Sequence, residues 1–191
     1  MKKSTIASLA TALLATATFA HAETASYMIE PTHTSVVFEA KHFGTSTVRA
    51  RIPAKSGTIT IDPAAKTGKG NIVLDTAAVI SGVPKFDTHL KGGDFFNADR
   101  FPDATFVATD FRFDGDKITQ VSGTLTIIGN TQPVTLNATS YNCYQSPGFK
   151  KQVCGGDFET TIKRSLWNIN FGIPFVPDDT KLLVQIEAIR N

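Results

Sequence analysis

The sequence predicts an all-β protein whose strands close into an antiparallel barrel. Three observations support this fold class: apolar side chains recur at every second position in short segments, turn-forming residues separate these segments, and a single internal stretch departs from the pattern. Side chains two residues apart in a strand lie on the same face of a sheet. Each segment therefore has one apolar and one wettable face, as is typical of antiparallel strands buried on one side.

The first half of the chain contains four such segments. The residues between their apolar positions are mostly polar or charged, as at Glu39, Arg49 and Thr60. The apolar positions are Val36, Phe38 and Ala40; Val48, Ala50 and Ile52; Ile59 and Ile61; and Ile72 and Leu74.

The second half repeats the alternation. Residues 105–113 and 118–128 are predicted strands joined by a turn at 114–116, which has the sequence Asp-Gly-Asp. Later apolar positions are Val134, Leu136 and Ala138; Phe158 and Ile162; and Leu182, Val184, Ile186 and Ala188. This order predicts an eight-stranded, up-and-down or lipocalin-like barrel, which leaves few free strand edges. A two-sheet sandwich is the structural alternative.

Residues 83–101 interrupt the alternation. The stretch VPKFDTHLKGGDFFNADRF mixes aromatic and charged residues without β-branched periodicity. It predicts one or two short helices, separated at Gly92 and Gly93, lying across one opening of the barrel. The apolar residues of this insert are expected to point inward, either as a plug or as the wall of a pocket: Phe86, Leu90, Phe95, Phe96 and Phe101.

The N-terminus has the pattern of a secretory signal. Lys2 and Lys3 precede an apolar run at residues 6–19, and small residues follow at Ala20 and Ala22. Residues 1–22 are therefore predicted to be a signal peptide cleaved between Ala22 and Glu23, because the apolar run is shorter than the roughly 20 residues of a membrane-spanning helix. Residues 23–191 would then form one exported domain, expected in the periplasm.

The net charge limits the expected classes of partner, and the two cysteines indicate a disulfide. The chain has 19 basic and 17 acidic residues, so removal of Lys2 and Lys3 leaves a formal net charge of zero. A neutral protein has no long-range field to attract a phosphate backbone, so nucleic acid is not an expected partner. Cys143 and Cys154 are predicted to form a disulfide, because exported proteins fold in an oxidising compartment.

Catalytic and metal-binding patterns are missing from the sequence. It contains no nucleophile elbow, P-loop, dinucleotide fingerprint or zinc-protease motif. The histidines after residue 22 are His33, His42 and His89, and their spacing matches no metal site. Asp87 and His89 lie two apart, so on a helix they do not face each other as an acid–base pair would. We therefore expect neither an enzyme nor a metal centre.

The aromatic content favours an apolar interior. Fourteen Phe stand against one Trp and three Tyr, and Phe adds apolar area without a polar group. An eight-stranded barrel is either filled by its side chains or wide enough for one small ligand, and periodicity leaves both options open.

Three blocks of the sequence together resemble the YceI family, the polyisoprenoid-binding proteins of bacterial envelopes. The first is YMIEPTHTSVVFEAKHFGTSTVRARIPAKSGTITID at residues 27–62, the second THLKGGDFFNADRFPDATF at 88–106, and the third VSGTLTIIGNTQPVTL at 121–136. The chain departs from the family pattern at residues 85–87 and 163–172, which border the expected headgroup end.

The resemblance implies a lipocalin-like barrel that carries an isoprenoid lipid, such as the polyprenyl quinone ubiquinone, with no other cofactor. It also implies that motif residues lie near the mouth and pocket: His42, His89, Leu90, Asp94, Phe95 and Phe96. The apolar residues expected to contact the ligand are Phe38, Val48, Ile59, Ile61, Ile72, Leu74, Phe86 and Phe106. Transient membrane contact is expected, and a homodimer is left open.

Two other functions remain as alternatives. One is an enzyme acting on a lipid-like substrate through Asp87, His89 or Asp94, which cluster in the insert. The other is an envelope stress protein that acts through its surface and whose barrel is filled.

Overall fold

Nine strands form one antiparallel sheet in residues 24–191, the part of the chain that this computed structural model describes. The predicted signal peptide and its cleavage site between Ala22 and Glu23 lie outside the described residues. The strands are β1 (Ala25–Ile29), β2 (Ser35–His42), β3 (Ser46–Asp62), β4 (Thr67–Asp75), β5 (Asp103–Asp114), β6 (Lys117–Ile127), β7 (Asn130–Gln145), β8 (Gln152–Lys163) and β9 (Asp179–Arg190).

The sheet closes on itself. Strands β2 to β8 each pair with the next strand in the chain, and the last strand, β9, closes the sheet by pairing with β2. Strand β1 continues the line of β2 beyond a 3-10 turn at Pro31–His33, and both lie between β3 and β9. The barrel therefore has eight strand positions, which confirms the predicted eight-stranded antiparallel barrel and excludes the two-sheet sandwich.

Strand β3 unites two segments that the sequence separates. The alternations at 48–52 and at 59–61 belong to one strand of 17 residues, with a register shift between Ala54 and Ser56. Gly57 follows this bulge, and a Cβ atom there would lie 2.7 Å from both the Asn71 carbonyl oxygen and Ile29 Cγ1. The stretch that looks like a turn in the sequence is therefore a bend at which only glycine fits.

A bulge also shifts the phase of β5. Ala104, Phe106 and Ala108 are buried at every second position, and the next buried residue is Phe111. The register shift between Ala108 and Asp110 accounts for the extra residue. The inward face of the strand is thus maintained across the irregularity.

The insert between β4 and β5 contains a single helix, α1 (Pro84–Lys91). Pro84 stands in the first turn, where its missing N–H is not needed, and the helix stops at Gly92. A second helix, which the sequence left open, does not form, because the following residues make turns. No helix among residues 24–191 is long and apolar enough to cross a membrane.

The two ends of the barrel differ. We call the end that carries α1, the β2–β3 turn and the β8–β9 loop the mouth, and the opposite end the far end. Near the far end Cys143 on β7 faces Cys154 on β8, and their sulfurs are bonded, as predicted.

Candidate ligand-binding lumen

The barrel encloses a cavity of about 550 Å³. This volume lies within the range of about 300–1,000 Å³ that is typical of small-molecule sites. The protein's own side chains therefore do not fill the barrel, which excludes the filled interior expected for a surface-acting protein.

The inward faces of the strands line this cavity. The alternation places Val36, Phe38 and Ala40 of β2 inside while Glu39 points outward and forms an ion pair with Arg49, 2.5 Å between Oε1 and Nε. Strands β3 to β9 contribute in the same way, and almost every lining side chain is aliphatic or aromatic. An apolar chain entering this space would find close packing and few hydrogen-bond partners.

The sequence-predicted site residues come together here with one exception. Asp94 is not a lining residue; it lies outside, with Oδ2 3.2 Å from Nε2 of His89. Binding of a ligand by the others stays a prediction. The predicted residues that line the cavity are Phe38, His42, Val48, Ile59, Ile61, Ile72, Leu74, Phe86, His89, Leu90, Phe95, Phe96 and Phe106.

Phe101 corrects the expectation that all apolar residues of the insert point inward. Its ring does not line the cavity but lies against the β6–β7 turn, where a Cβ on Gly129 would be 3.3 Å from it. The Arg100 guanidinium covers the same ring at 5.2 Å. The chain turns at Asn97, whose φ is +44°, and this leads the end of the insert away from the opening.

Sequence reasoning missed two groups of lining residues. Those on the strands follow the same alternation and could have been assigned from it; they include Val36, Ala40, Ile52, Phe111, Val121, Leu125, Val134, Leu136, Phe158, Leu182 and Val184. Those of the β8–β9 loop have no period that points inward: Ile169, Phe171 and Val176.

The mouth is the open end of the cavity. The lining residues Phe43 and Phe171 are exposed there, and the ring of His89 meets those of Phe95 and Phe171 edge-on at 4.9 Å. At the far end the cavity reaches Tyr141 and the buried Cys154. Burial raises the pKa of Tyr141 to about 12. The cavity thus runs from an open mouth to the disulfide.

Asp87 does not form an acid–base pair with His89. Its Oδ1 accepts hydrogen bonds from the Ser81 backbone N–H at 2.6 Å and from the Ser81 hydroxyl at 2.5 Å. These bonds hold the pKa of the Asp87 carboxyl below its ordinary value. The carboxylate fixes the entry into α1, and among the described residues only Asp94 lies in ion-pair contact with His89.

Arg164 is a buried cation at the mouth. Its guanidinium donates to the carbonyl oxygens of Ile169 at 2.9 Å, Val176 at 2.9 Å and Pro177 at 3.0 Å. Burial lowers its pKa. These bonds fasten the β8–β9 loop around the opening.

Trp167 anchors the first part of this loop to the barrel. It is fully buried, and its indole N–H donates to the carbonyl oxygen of Leu125, a lining residue, at 2.9 Å.

No group of three or more His, Cys, Asp or Glu side chains within residues 24–191 is arranged to hold a metal ion.

A family model described as the YceI-like domain matches residues 27–188. Protein YceI of Shigella flexneri is 32% identical over 165 residues, covering 85% of this chain and 84% of that protein. A UPF0312 protein of Pectobacterium atrosepticum is 30% identical, covering 100% of this chain and 99% of that protein.

Solved structures share the barrel. The YceI protein of Campylobacter jejuni superposes with a TM-score of 0.63 at 26% identity, covering 79% of this chain and 90% of that one. BcnA of Burkholderia cenocepacia gives 0.65 at 24% identity, covering 83% and 98%. A Saccharophagus degradans domain described as polyisoprenoid-binding gives 0.62 at 13% identity, covering 86% and 98%, so its likeness concerns the fold alone.

Proposed function

The chain belongs to the YceI-like domain family, and on this premise we propose that it is a periplasmic carrier that holds an isoprenoid lipid in its barrel. The proposed ligand is a polyprenyl quinone, with its tail in the lumen. The observation that carries the proposal is the cavity itself, about 550 Å³ lined almost wholly by apolar side chains. The Saccharophagus domain supplies the same ligand class by name, whereas the assignment to this chain rests on its own lumen.

The energetics favour reversible binding. Each CH₂-sized unit of a tail that leaves water for the lumen stabilises the complex by about 0.8 kcal/mol. Lost translational freedom and lost chain freedom offset part of this gain. The donor of such a ligand is a bilayer, whose interior is as apolar as the lumen. The net preference for the protein is therefore small, and a carrier of this kind both loads and releases.

The polar groups at the mouth favour a neutral headgroup. A polyprenyl phosphate would need a cluster of cations, but the buried cation there, Arg164, already donates to three backbone carbonyls. His42 remains as a hydrogen-bonding group in the cavity wall, whereas Nε2 of His89 already meets Asp94. A quinone, whose carbonyl oxygens only accept hydrogen bonds, suits a single imidazole donor better than a dianion does.

A carrier rather than an enzyme is proposed because the polar residues of the insert are not assembled for catalysis. The Asp87 carboxylate is engaged by Ser81, and the His89–Asp94 pair is half exposed to solvent. The periplasmic location is supported by the Cys143–Cys154 disulfide, since such bonds persist in oxidising compartments.

Extraction of the protein after expression with its own N-terminus in a bacterial envelope tests the proposal. Native mass spectrometry is expected to show an adduct, and organic extraction is expected to release an isoprenoid. Delipidated protein should then take up an added polyprenyl quinone and return it chemically unchanged. Failure to recover or load any isoprenoid contradicts the carrier, and recovery of a converted product identifies an enzyme.

A further inference from the structure

Four large apolar side chains stand exposed around the mouth. We call them the aromatic rim: Phe43 on the β2–β3 turn, and Phe171, Ile173 and Phe175 on the β8–β9 loop. Phe43 is 59% exposed and Phe175 is 64% exposed. Clustered exposed apolar side chains on a globular protein mark a surface that contacts a membrane, another protein or a ligand.

The rim is held in this exposed arrangement. The rings of Phe43 and Phe175 stack with their centroids 5.6 Å apart and their planes within 14°. The Phe43 backbone N–H donates to the carbonyl oxygen of Phe175 at 3.1 Å, which ties the two loops together. Arg164 fastens the same loop through its three carbonyl contacts. Both loops therefore display these side chains from a fixed backbone.

The rim is continuous with the lumen. Phe43 and Phe171 belong both to the exposed rim and to the cavity wall, whereas Ile173 and Phe175 stand outside the cavity. An isoprenoid tail that leaves the cavity at this end thus passes from one apolar surface directly to another. If water separated the rim from the lumen, the tail would be exposed to water during transfer and would lose the free energy of its burial.

The charge pattern fits a lipid headgroup layer. Residues 166–177 and 42–47 contain no Lys, Arg, Asp or Glu, so the rim enters an apolar layer without burying a formal charge. At the same end of the barrel, Lys41 directly precedes residues 42–47 and Lys85 lies on α1; both are exposed and form no ion pair with any residue in 24–191. Cations at the edge of an apolar patch strengthen contact with anionic lipids.

We propose that the aromatic rim docks on the surface of a lipid bilayer and that the mouth is the portal between membrane and lumen. This inference rests on the proposed function, because a membrane-dissolved ligand is the reason for a bilayer to be the partner. A few apolar side chains give shallow, reversible attachment rather than permanent anchoring.

Flotation of the ligand-free, mature-length protein with vesicles of phosphatidylethanolamine and phosphatidylglycerol tests the docking. Phe175→Ser removes the most exposed ring of the rim, which is not itself a cavity-lining side chain, and we expect its vesicle partitioning to fall about tenfold, within what burial of one Phe contributes. Phe175→Trp should retain binding and shift its emission to the blue on vesicle contact. Phe149→Ser is the matched control, because Phe149 is an exposed ring in the β7–β8 turn at the far end.

Three results overturn the docking. They are undiminished flotation of Phe175→Ser, an equal loss in Phe149→Ser, and a Phe175→Ser variant that loses only self-association in analytical ultracentrifugation. The last result would make the rim a contact between two copies of this chain.

Ligand uptake separates docking from carriage. We expect Phe175→Ser to take up a polyprenyl quinone slowly from vesicles but normally from a detergent solution. If the wild type takes up quinone from neither source, the carrier function fails, while the ligand-free flotation still decides the docking. If uptake from vesicles is equal in both proteins, the portal is wrong and carriage stands.

Discussion

Arg164 shows how one side chain prepares the opening of the barrel. It is 6% exposed, and its guanidinium donates three hydrogen bonds to carbonyl oxygens of the loop that carries Phe171 and Phe175. The planar guanidinium has five N–H donors in a fixed geometry, so a single arginine side chain can serve three differently placed acceptors at once. The residue thus substitutes for the regular pairing that an irregular loop lacks.

Replacement of Arg164 by Ala should therefore loosen the mouth. We expect the free energy of unfolding to fall by about 2–3 kcal/mol, because three carbonyl groups lose a charged donor. Urea titration measures this loss, and hydrogen exchange should show faster exchange at the Val176 amide. Arg112→Ala, at an exposed position on β5, is the control and should change little. Equal stability of the two variants would contradict a fastening role.

At the scale of elements, the 3-10 turn Pro31–His33 allows β1 and β2 to share one barrel position. Glu30 caps it, accepting hydrogen bonds from the backbone N–H groups of Thr32 at 3.2 Å and His33 at 2.8 Å. The Thr32 hydroxyl and the His33 ring approach the same carboxylate. Burial raises the pKa of this carboxyl, but the hydrogen bonds outweigh burial and hold it below its ordinary value of 4.5.

The lowered pKa of Glu30 predicts a pH-dependent loss of stability. The ionised carboxylate contributes fully above its unfolded value of 4.5, and the contribution disappears as pH falls through the lower folded value. Glu30→Gln should thus cost about 1–2 kcal/mol at neutral pH and progressively less in acid. Denaturation at several pH values measures this, with the exposed Asp110→Asn as control. A pH-independent difference would show that the charge is irrelevant.

For the whole molecule, the central prediction is that ligand uptake depends on the empty space in the lumen. Ala108 on β5 is buried in the cavity wall, whereas its neighbour Val107 is 40% exposed on the outer face. Ala108→Trp should obstruct the lumen and reduce quinone uptake at least about tenfold, while Val107→Trp, with the same added bulk outside, should bind normally. Circular dichroism verifies folding in both. Ala104→Phe, which also adds bulk to the lumen, replaces Ala108→Trp if that variant fails to fold. Undiminished quinone uptake by a folded variant with an obstructed lumen would contradict binding in the lumen.

The barrel and the part of the cavity wall that its strands form could be predicted, because both follow from apolar side chains at every second position. Alternation placed Phe38 and Ile72 on the apolar faces of their strands, and the resemblance to the YceI family indicated their ligand contacts and the mouth residues His42 and His89. The bulge in β3 could not be predicted, because a bulge reads like a turn in sequence. The inward course of Phe171 and the outward course of Phe101 depend on loop contacts between distant residues, for which no local pattern exists.

The indole of Trp167 also has a practical consequence. The sequence contains one tryptophan, and it is fully buried with its N–H on the carbonyl of a lining residue. All indole emission therefore originates at a single point beside the lumen. Quinones quench such emission by accepting an electron or the excitation energy, whereas a polyprenol, which has no quinone ring, does not. The fluorescence of the unlabelled protein should therefore distinguish a bound quinone from a bound polyprenol.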